Sequence, residues 1–387
     1  MPVNRHYKIV YCTPAIYSAG GVERIVSVKA NFFAEHYGYD ITIIVTEGIG
    51  KSPFFPISDK VHIVNLNIGF EELWNTPFWK KMVLYLVKQR KYKKRLTEEL
   101  LRLRPDITIS TLRREVNFLA KINDGSLKIG ELHLNRANFR VLESGKFGVV
   151  QRLFVKWWKH KLVGHLQALD KLVVLTDSSV KEWPELDNVT MIPDPLPIQV
   201  ASQSPLITKH VATIGRYSYE KGYDLLLHAW AIVQKEISDW HLDIYGMGNA
   251  ETYKKLAFQL GVDLTRCHIY GSVSDVQQVY SNCSIFALSS RFEGFGLVLV
   301  EAMACGVPVI SFACPSGPLE LISDGVNGLL VPLGDVPAFA ENLIRLIKDP
   351  ELRNSLAENG LKTAQSCSLE KVAEQWKALF DILMKGK

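Results

Sequence analysis

The sequence predicts an α/β protein built from two doubly wound halves, and three observations carry that prediction. Short apolar runs alternate with longer amphipathic stretches along the 387 residues. Turns rich in glycine join many of the runs to the stretches that follow them. A proline-dense segment, Ile192-Pro193-Asp194-Pro195-Leu196-Pro197, followed by polar Ala201-Ser202-Gln203-Ser204, then interrupts the series and starts it again. Repeated strand, turn and helix units of this kind build parallel sheets covered by helices.

In the first half, Lys8 to Thr13 reads as a strand, Ala19-Gly20-Gly21 as a turn, and Val22 to Tyr37 as a helix whose apolar positions include Ile25, Val28, Phe32 and Phe33. Asp40 to Val45, Val61 to Leu66, Ile107 to Ser110, Ile129 to Leu134, Leu172 to Leu175 and Thr190 to Ile192 follow as strands. The linker places the domain boundary at residues 197/198. The second half opens its own sheet with His210 to Ile214 and continues through His241 to Tyr245, His268 to Tyr270, Ile285 to Leu288, Val307 to Phe312 and Gly328 to Val331. Val336 to Lys348, Pro350 to Ala364 and Leu369 to Met384 close the chain as helices.

Composition fits two ordinary cores: 47% of residues are hydrophobic and 22% charged, which argues against extended disorder. The cysteines Cys12, Cys267, Cys283, Cys305, Cys314 and Cys367 are scattered without a C-x-x-C pair, so neither disulfides nor zinc are expected and a reducing compartment is. Pro14 cuts the first apolar stretch, which reads as a strand rather than an export signal. The longest uncharged stretch, Ala302 to Leu319, holds Gly306, Pro308, Pro315, Gly317 and Pro318 and is no spanning helix, so a cytoplasmic protein is expected.

The most informative segment is Glu293-Gly294-Phe295-Gly296-Leu297-Val298-Leu299-Val300-Glu301. Ser284 to Leu288 reads as a buried strand, Ser289 to Gly296 as a turn, and Leu297 to Cys305 as a helix stopped by Gly306. Glu301 then sits among Leu299, Val300, Ala302 and Met303 with no basic residue within a helical turn, and a carboxylate in that company needs a partner. A polar ligand supplies one. Gly294 and Gly296 let backbone approach it, and the helix amides beyond them suit a phosphate. The alternative is a solvated loop glutamate plus a helix glutamate paired with a distant cation.

This segment resembles the E-x7-E motif of retaining glycosyltransferases of family 4, as does the continuation Ala302-Met303-Ala304-Cys305-Gly306-Val307-Pro308-Val309-Ile310-Ser311. The resemblance implies the glycosyltransferase-B fold: two Rossmann-like domains facing across a cleft, residues 1–197 on the acceptor side and 198–369 holding the donor, with the final helix 370–387 returning to the first domain. It assigns Glu293 to the donor hexose and Glu301 to the nucleotide ribose. Retention of anomeric configuration also comes from the family alone.

Gly215-Arg216-Tyr217-Ser218-Tyr219-Glu220-Lys221-Gly222 lies at the carboxyl end of a strand, where α/β ligands bind. Arg216 and Lys221 suit a diphosphate, by planar fork and by point charge, and their spacing is similar to the family's Gly-Arg and Lys-Gly pattern. A solvated loop with an Arg216 to Glu220 contact is the plainer reading. Gly20 and Gly21 form a turn that lets a donor phosphate or acceptor hydroxyl approach, or a purely structural one, without a G-x-G-x-x-G fingerprint. The turns at Gly246-Met247-Gly248-Asn249 and Tyr270-Gly271-Ser272-Val273 hold the nucleoside in the family and are otherwise ordinary strand ends. His133 ends a strand where related enzymes carry a histidine near the reacting sugar, and it is equally read as a satisfied structural residue. Ser316-Gly317-Pro318-Leu319-Glu320 departs from the commoner Gly-Gly form of its motif, and Glu320 reads as a helix start.

The expected activity is therefore transfer of a hexose from a nucleotide-diphosphate sugar to a saccharide or polyprenyl-linked saccharide in cell-surface polysaccharide synthesis. No cofactor is expected, no nucleic acid partner, and, in the absence of an Asp-x-Asp motif, no metal. Trp79 to Leu96 carries Lys80, Lys81, Lys88, Arg90, Lys91, Lys93, Lys94 and Arg95 without an acid, and Gln151 to His165 adds Arg152, Lys156, Lys159 and Lys161 around Phe154, Trp157 and Trp158. Both suit peripheral contact with an anionic membrane surface, or two solvated helices with aromatic core faces. A nicotinamide-dependent oxidoreductase would share the sheets but lacks its glycine fingerprint here; a non-catalytic nucleotide-sugar sensor would lack the hexose acid, and Glu293 is present.

Overall fold

The computed structural model describes residues 6–73, 76–137, 139, 161–273 and 275–387, with backbone alone at 78 and 79. The chain divides into two compact units, Met1–Pro195 with Leu369–Lys387, and Leu196–Ser368.

The first unit is built on a seven-stranded sheet: β1 (Lys8–Thr13), β2 (Asp40–Val45), β3 (Val61–Asn65), β4 (Ile107–Ser110), β5 (Leu127–Leu132), β6 (Lys171–Val174) and β7 (Val189–Met191), in the order β3-β2-β1-β4-β5-β6-β7. Every pairing is parallel. The central strands are buried on both faces, as Ile9, Val10, Tyr11 and Cys12 of β1 are, which is why they read as continuous apolar runs rather than alternating ones. One face is covered by the helices Gly21–His36 and Leu369–Lys385, where Ala30 and Phe33 join Val372, Trp376 and Phe380 in one cluster. The other is covered by Phe78–Leu103, whose Tyr92, Leu96 and Leu100 pack with Val10, Cys12 and Ile44.

The second unit holds β8 (His210–Ile214), β9 (His241–Tyr245), β10 (Cys267–Tyr270), β11 (Ile285–Leu288), β12 (Val309–Phe312) and β13 (Leu329–Val331). Their order is β10-β9-β8-β11-β12-β13, again all parallel. The chain winds outward from β8 through β9 to β10, then crosses back to β11 and winds the other way. The order therefore reverses between β8 and β11, and the turns after these two strands flank the reversal at the carboxyl edge, where open α/β sheets bind ligands. In the first unit the reversal lies between β1 and β4.

Two boundaries differ from the sequence reading in ways that move functional residues. β5 ends at Leu132, so His133 lies just beyond the strand instead of closing it. Val307 belongs to the close of the preceding helix, where its amide donates to the Ala302 carbonyl and Gly306 takes φ +69°, so β12 begins only at Val309. All six cysteines are buried and unpaired, and burial pushes the Cys305 thiol up to about 12.

Candidate functional site

Two turns at the β8/β11 reversal are laced together. Lys221 Nζ lies 2.7 Å from Glu293 Oε1, and Ser290 Oγ donates to the same oxygen at 2.6 Å. These partners are 72 residues apart in sequence. Below them Ser289 Oγ donates to the Lys221 carbonyl at 2.9 Å, and the Arg291 amide donates to the Glu220 carbonyl at 2.8 Å. Arg291 then forks onto Asp224 through two bonds of 2.8 and 2.6 Å, a bidentate pair that fixes both turns. For Asp224, burial favours the neutral carboxyl, but the Arg291 guanidinium outweighs it and holds the acid below its usual range.

The close approach is possible because Gly222 has φ +62° and a Cβ there would lie 2.1 Å from the Ser289 carbonyl oxygen. Gly222→Ala is expected to destabilise the second unit by roughly 2 kcal/mol or more, from left-handed strain plus the clash. Urea unfolding of the variant beside the parent measures it.

Glu293 is held from a third side. Its amide donates to the Pro315 carbonyl at 2.9 Å and its carbonyl accepts from the Ser316 amide at 2.9 Å, so the turn after β12 is bridged to it. Gly317 follows because a Cβ there would meet the Phe295 carbonyl oxygen at 1.8 Å. Ser316 itself is buried, its hydroxyl among the buried polar atoms without a hydrogen-bond partner.

Gly296 caps the next helix, Leu297–Ala304, in the left-handed conformation, leaving the first amides, beginning at Leu297, at the mouth of the turn that carries Gly294 and Phe295. Glu301 sits four residues into that helix, 2% exposed, with Tyr280 Oη donating to its Oε2 at 2.8 Å. Sequence reasoning looked for a ligand to satisfy this carboxylate. The chain supplies a hydroxyl of its own, from a residue on another helix, Val276–Ser281, that no local pattern connects to it.

Arg216 stands at the same edge with its side chain 65% exposed, in contact with Glu220 at 3.3 Å. The turns after β9 and β10 adjoin it. The Gly246 amide donates to the Gly271 carbonyl at 3.2 Å, Tyr217 Oη donates to the carbonyls of Ile244 and Tyr270, and Tyr270 stacks on Tyr245 with ring centroids 4.8 Å apart. A Cβ on Gly246 would lie 2.2 Å from the Gly215 carbonyl oxygen, so this glycine serves backbone contact between neighbouring turns. Val273, beyond Gly271, is partly buried. The second unit thus brings Arg216, Lys221, Glu293 and the glycine turns to one edge of one sheet, with Glu301 one turn into the helix that starts there.

Gly20, Gly21 and His133 belong to the first unit. Gly20 caps the helix Gly21–His36, with the Glu23 carboxylate folded back so closely that a Cβ at position 20 would meet it at 2.0 Å. His133 is enclosed in a charged network that the sequence did not disclose. Its Nδ1 lies 3.4 Å from Asp194 Oδ2 and its Nε2 lies 3.6 Å from Glu131 Oε1. Glu131 is bonded to the buried ammonium of Lys29, which also rests 4.4 Å from the Trp376 ring centroid. One atom from each of Glu131, His133 and Asp194 lies within 4.8 Å of the others, close enough to hold a cation, and Lys29 already supplies one. Asp194 sat inside the Pro-Asp-Pro segment that sequence reading treated only as a linker.

Burial pulls the His133 pKa down, Asp194 and Glu131 push it up by more, and the result lies above the ordinary histidine value. A histidine raised on folding contributes its stabilisation in full below about 6.5 and loses it as pH climbs through the raised value. The first unit is therefore expected to lose stability across that window. His133→Gln should flatten the loss, read by urea unfolding at stepped pH.

Residues 199–363 match the family described as Glycosyl transferases group 1. The chain is 28% identical to an uncharacterized glycosyltransferase of Haemophilus influenzae over 96% of its own length and 99% of that protein's. It is 24% identical to the amylovoran biosynthesis glycosyltransferase AmsD of Erwinia amylovora, over 96% of this chain and 98% of that one. Among solved structures it is similar to a mutant of S. aureus TarM in complex with Fondaparinux, alpha-GlcNAc-glycerol and UDP: TM-score 0.77, 16% identity, covering 97% of this chain and 99% of that one. At that identity the structural likeness concerns the fold, and it matches the two parallel-sheet units of the glycosyltransferase-B class.

Proposed function

We propose that this chain, whose residues 199–363 match the Glycosyl transferases group 1 family and which is similar to a glycosyltransferase along nearly its whole length, moves a hexose, with retention, from a nucleotide-diphosphate sugar to a hydroxyl of a saccharide or lipid-linked saccharide acceptor. The observation that carries this reading is the meeting of Lys221 and Glu293 at the reversal point of the second sheet, 2.7 Å apart and anchored by Ser290. A cation and an acid at one point are what the two ends of a sugar diphosphate require. Lys221 and Arg216 meet the phosphate oxygens, Glu293 takes hexose hydroxyls, and the amides after Gly296 face the developing negative charge as the diphosphate leaves. Glu301, already oriented by Tyr280, is assigned to the ribose, with the turns at Gly246 and at Tyr270 to Val273 on the base. The first unit is assigned the acceptor, with Gly20, Gly21 and His133 as its candidate residues.

Relatives support the setting: AmsD is named for biosynthesis of amylovoran, and the TarM structure holds UDP. Incubating the purified chain with a panel of radiolabelled nucleotide sugars and polyprenyl-linked saccharides tests the reading. Release of nucleoside diphosphate with label in the acceptor, the new linkage keeping the donor's anomeric configuration by NMR, is the expected result. Tight donor binding with no turnover on any acceptor would instead identify a sensor. Since cations and a helix terminus are assigned the leaving-group charge, adding EDTA should leave the rate unchanged. Loss of transfer on chelation, restored by magnesium, would overturn that assignment.

A further inference from the structure

The helix Phe78–Leu103 has two faces with different employment. Inward, Tyr92, Leu96 and Leu100 enter the core. Two of the helix's cations are also committed inward: Lys88 donates to the Ile68 carbonyl at 2.7 Å and to Glu72 at 2.8 Å, and Arg95 donates to the Leu66 carbonyl at 2.6 Å. These seven-apart positions fix which side of the helix meets the protein.

On the outer side, Met82, Val83, Leu86 and Val87 are 46, 62, 53 and 52% exposed. Their spacing puts them on adjacent turns of one face, so they form a contiguous aliphatic patch rather than scattered apolar residues. Around and beyond it Lys80, Arg90, Lys91 and Lys93 are exposed. No aspartate or glutamate occurs from Phe78 to Thr97; the first acid, Glu98, stands 3.9 Å from Lys94.

We infer that this outer face docks on an anionic lipid bilayer, with the aliphatic patch entering the boundary between headgroups and acyl chains and the surrounding cations meeting lipid charge. A core-facing helix has no use for exposed aliphatics, and a merely solvated one would not omit acids for twenty residues. Apolar residues on one face, flanked by cations of the same helix with Glu72 paired to Lys88 at its edge, match the layered chemistry of a lipid surface. Among the described residues no helix is long and apolar enough to cross a membrane, so the contact lies in the plane of the surface. The second basic stretch, Gln151 to His165, falls outside the described residues except for its last few, and the inference does not use it.

Flotation of the full chain with vesicles tests this, using phosphatidylcholine alone and an equal mixture with phosphatidylglycerol, at low and physiological salt. The chain should float with the mixture and not with phosphatidylcholine alone, less so as salt rises. Val83→Glu with Leu86→Glu should abolish flotation. Lys80→Gln and Arg90→Gln should each weaken it about fivefold. Both pairs are exposed, and circular dichroism checks that each variant is folded. Three results would overturn the inference: no flotation of the parent at either salt, unchanged flotation of the Val83→Glu, Leu86→Glu variant, or a parent dimer that this variant turns into a monomer without any vesicle binding. The readout needs neither donor nor acceptor, so it stands or falls separately from sugar transfer.

Discussion

Replacing Lys221 with alanine is expected to lower sugar transfer by about a hundredfold to a thousandfold, the range seen when one preorganised charge or donor is taken from a developing anion. The loss should appear in kcat more than in KM, because the leaving diphosphate gains charge as the bond breaks. Glu293 would keep its bond from Ser290 but lose the ammonium 2.7 Å away, so some stability should go too, about 1–3 kcal/mol. Arg291→Lys is the control. It weakens the fork onto Asp224 that holds the same turns and removes no group assigned to the donor. A variant with alanine at 221 that is folded by circular dichroism and turns over normally would end the assignment of this site.

The second large effect is on folding. Lys29 and Glu131 are both 1% exposed and bonded to one another. Lys29→Met is expected to destabilise the first unit by about 3–5 kcal/mol, because it strands a carboxylate inside the protein. Adding Glu131→Leu should recover most of that loss, since an apolar pair of similar volume is often as stable as a buried ion pair. Urea midpoints of the single and double variants decide the matter; equal losses in both would mean that the charge pairing contributes nothing. Trp376, 4.4 Å from Lys29, ties the terminal helix into the same result, so truncation before Leu369 should weaken the pair as well.

What the sequence disclosed and what it hid divide along a physical line. Strands β1, β2, β4, β8, β9 and β11 coincide with their apolar runs, because a strand buried on both faces writes itself as an unbroken apolar segment. The turn from Glu293 to Gly296 was legible from glycine chemistry. Side-chain partners were not. Lys29 reaches Glu131 across 102 residues, Lys221 reaches Glu293 across 72, and Tyr280 reaches Glu301 from a separate helix. Nothing in local composition marks such pairs. Glu301 is the instructive case, since its apolar neighbourhood announced that a partner was required and pointed to a ligand, where the chain supplies the Tyr280 hydroxyl. The eight cations from Lys80 to Arg95 likewise read as one surface, while the folded chain turns Lys88 and Arg95 to its own carbonyls and leaves the others outside.

The contact between Lys221 and Glu293 also bears on selectivity. Any anion drawn to that ammonium competes with an internal counter-ion, and a small inorganic ion that won would leave the carboxylate with only the Ser290 hydroxyl in a nearly enclosed position. A molecule bearing negative charge at one end and hydroxyl donors a few ångströms away satisfies both groups at once. On the proposed reading the resident ion pair thereby disfavours an anion without a donor, such as chloride, relative to a sugar diphosphate.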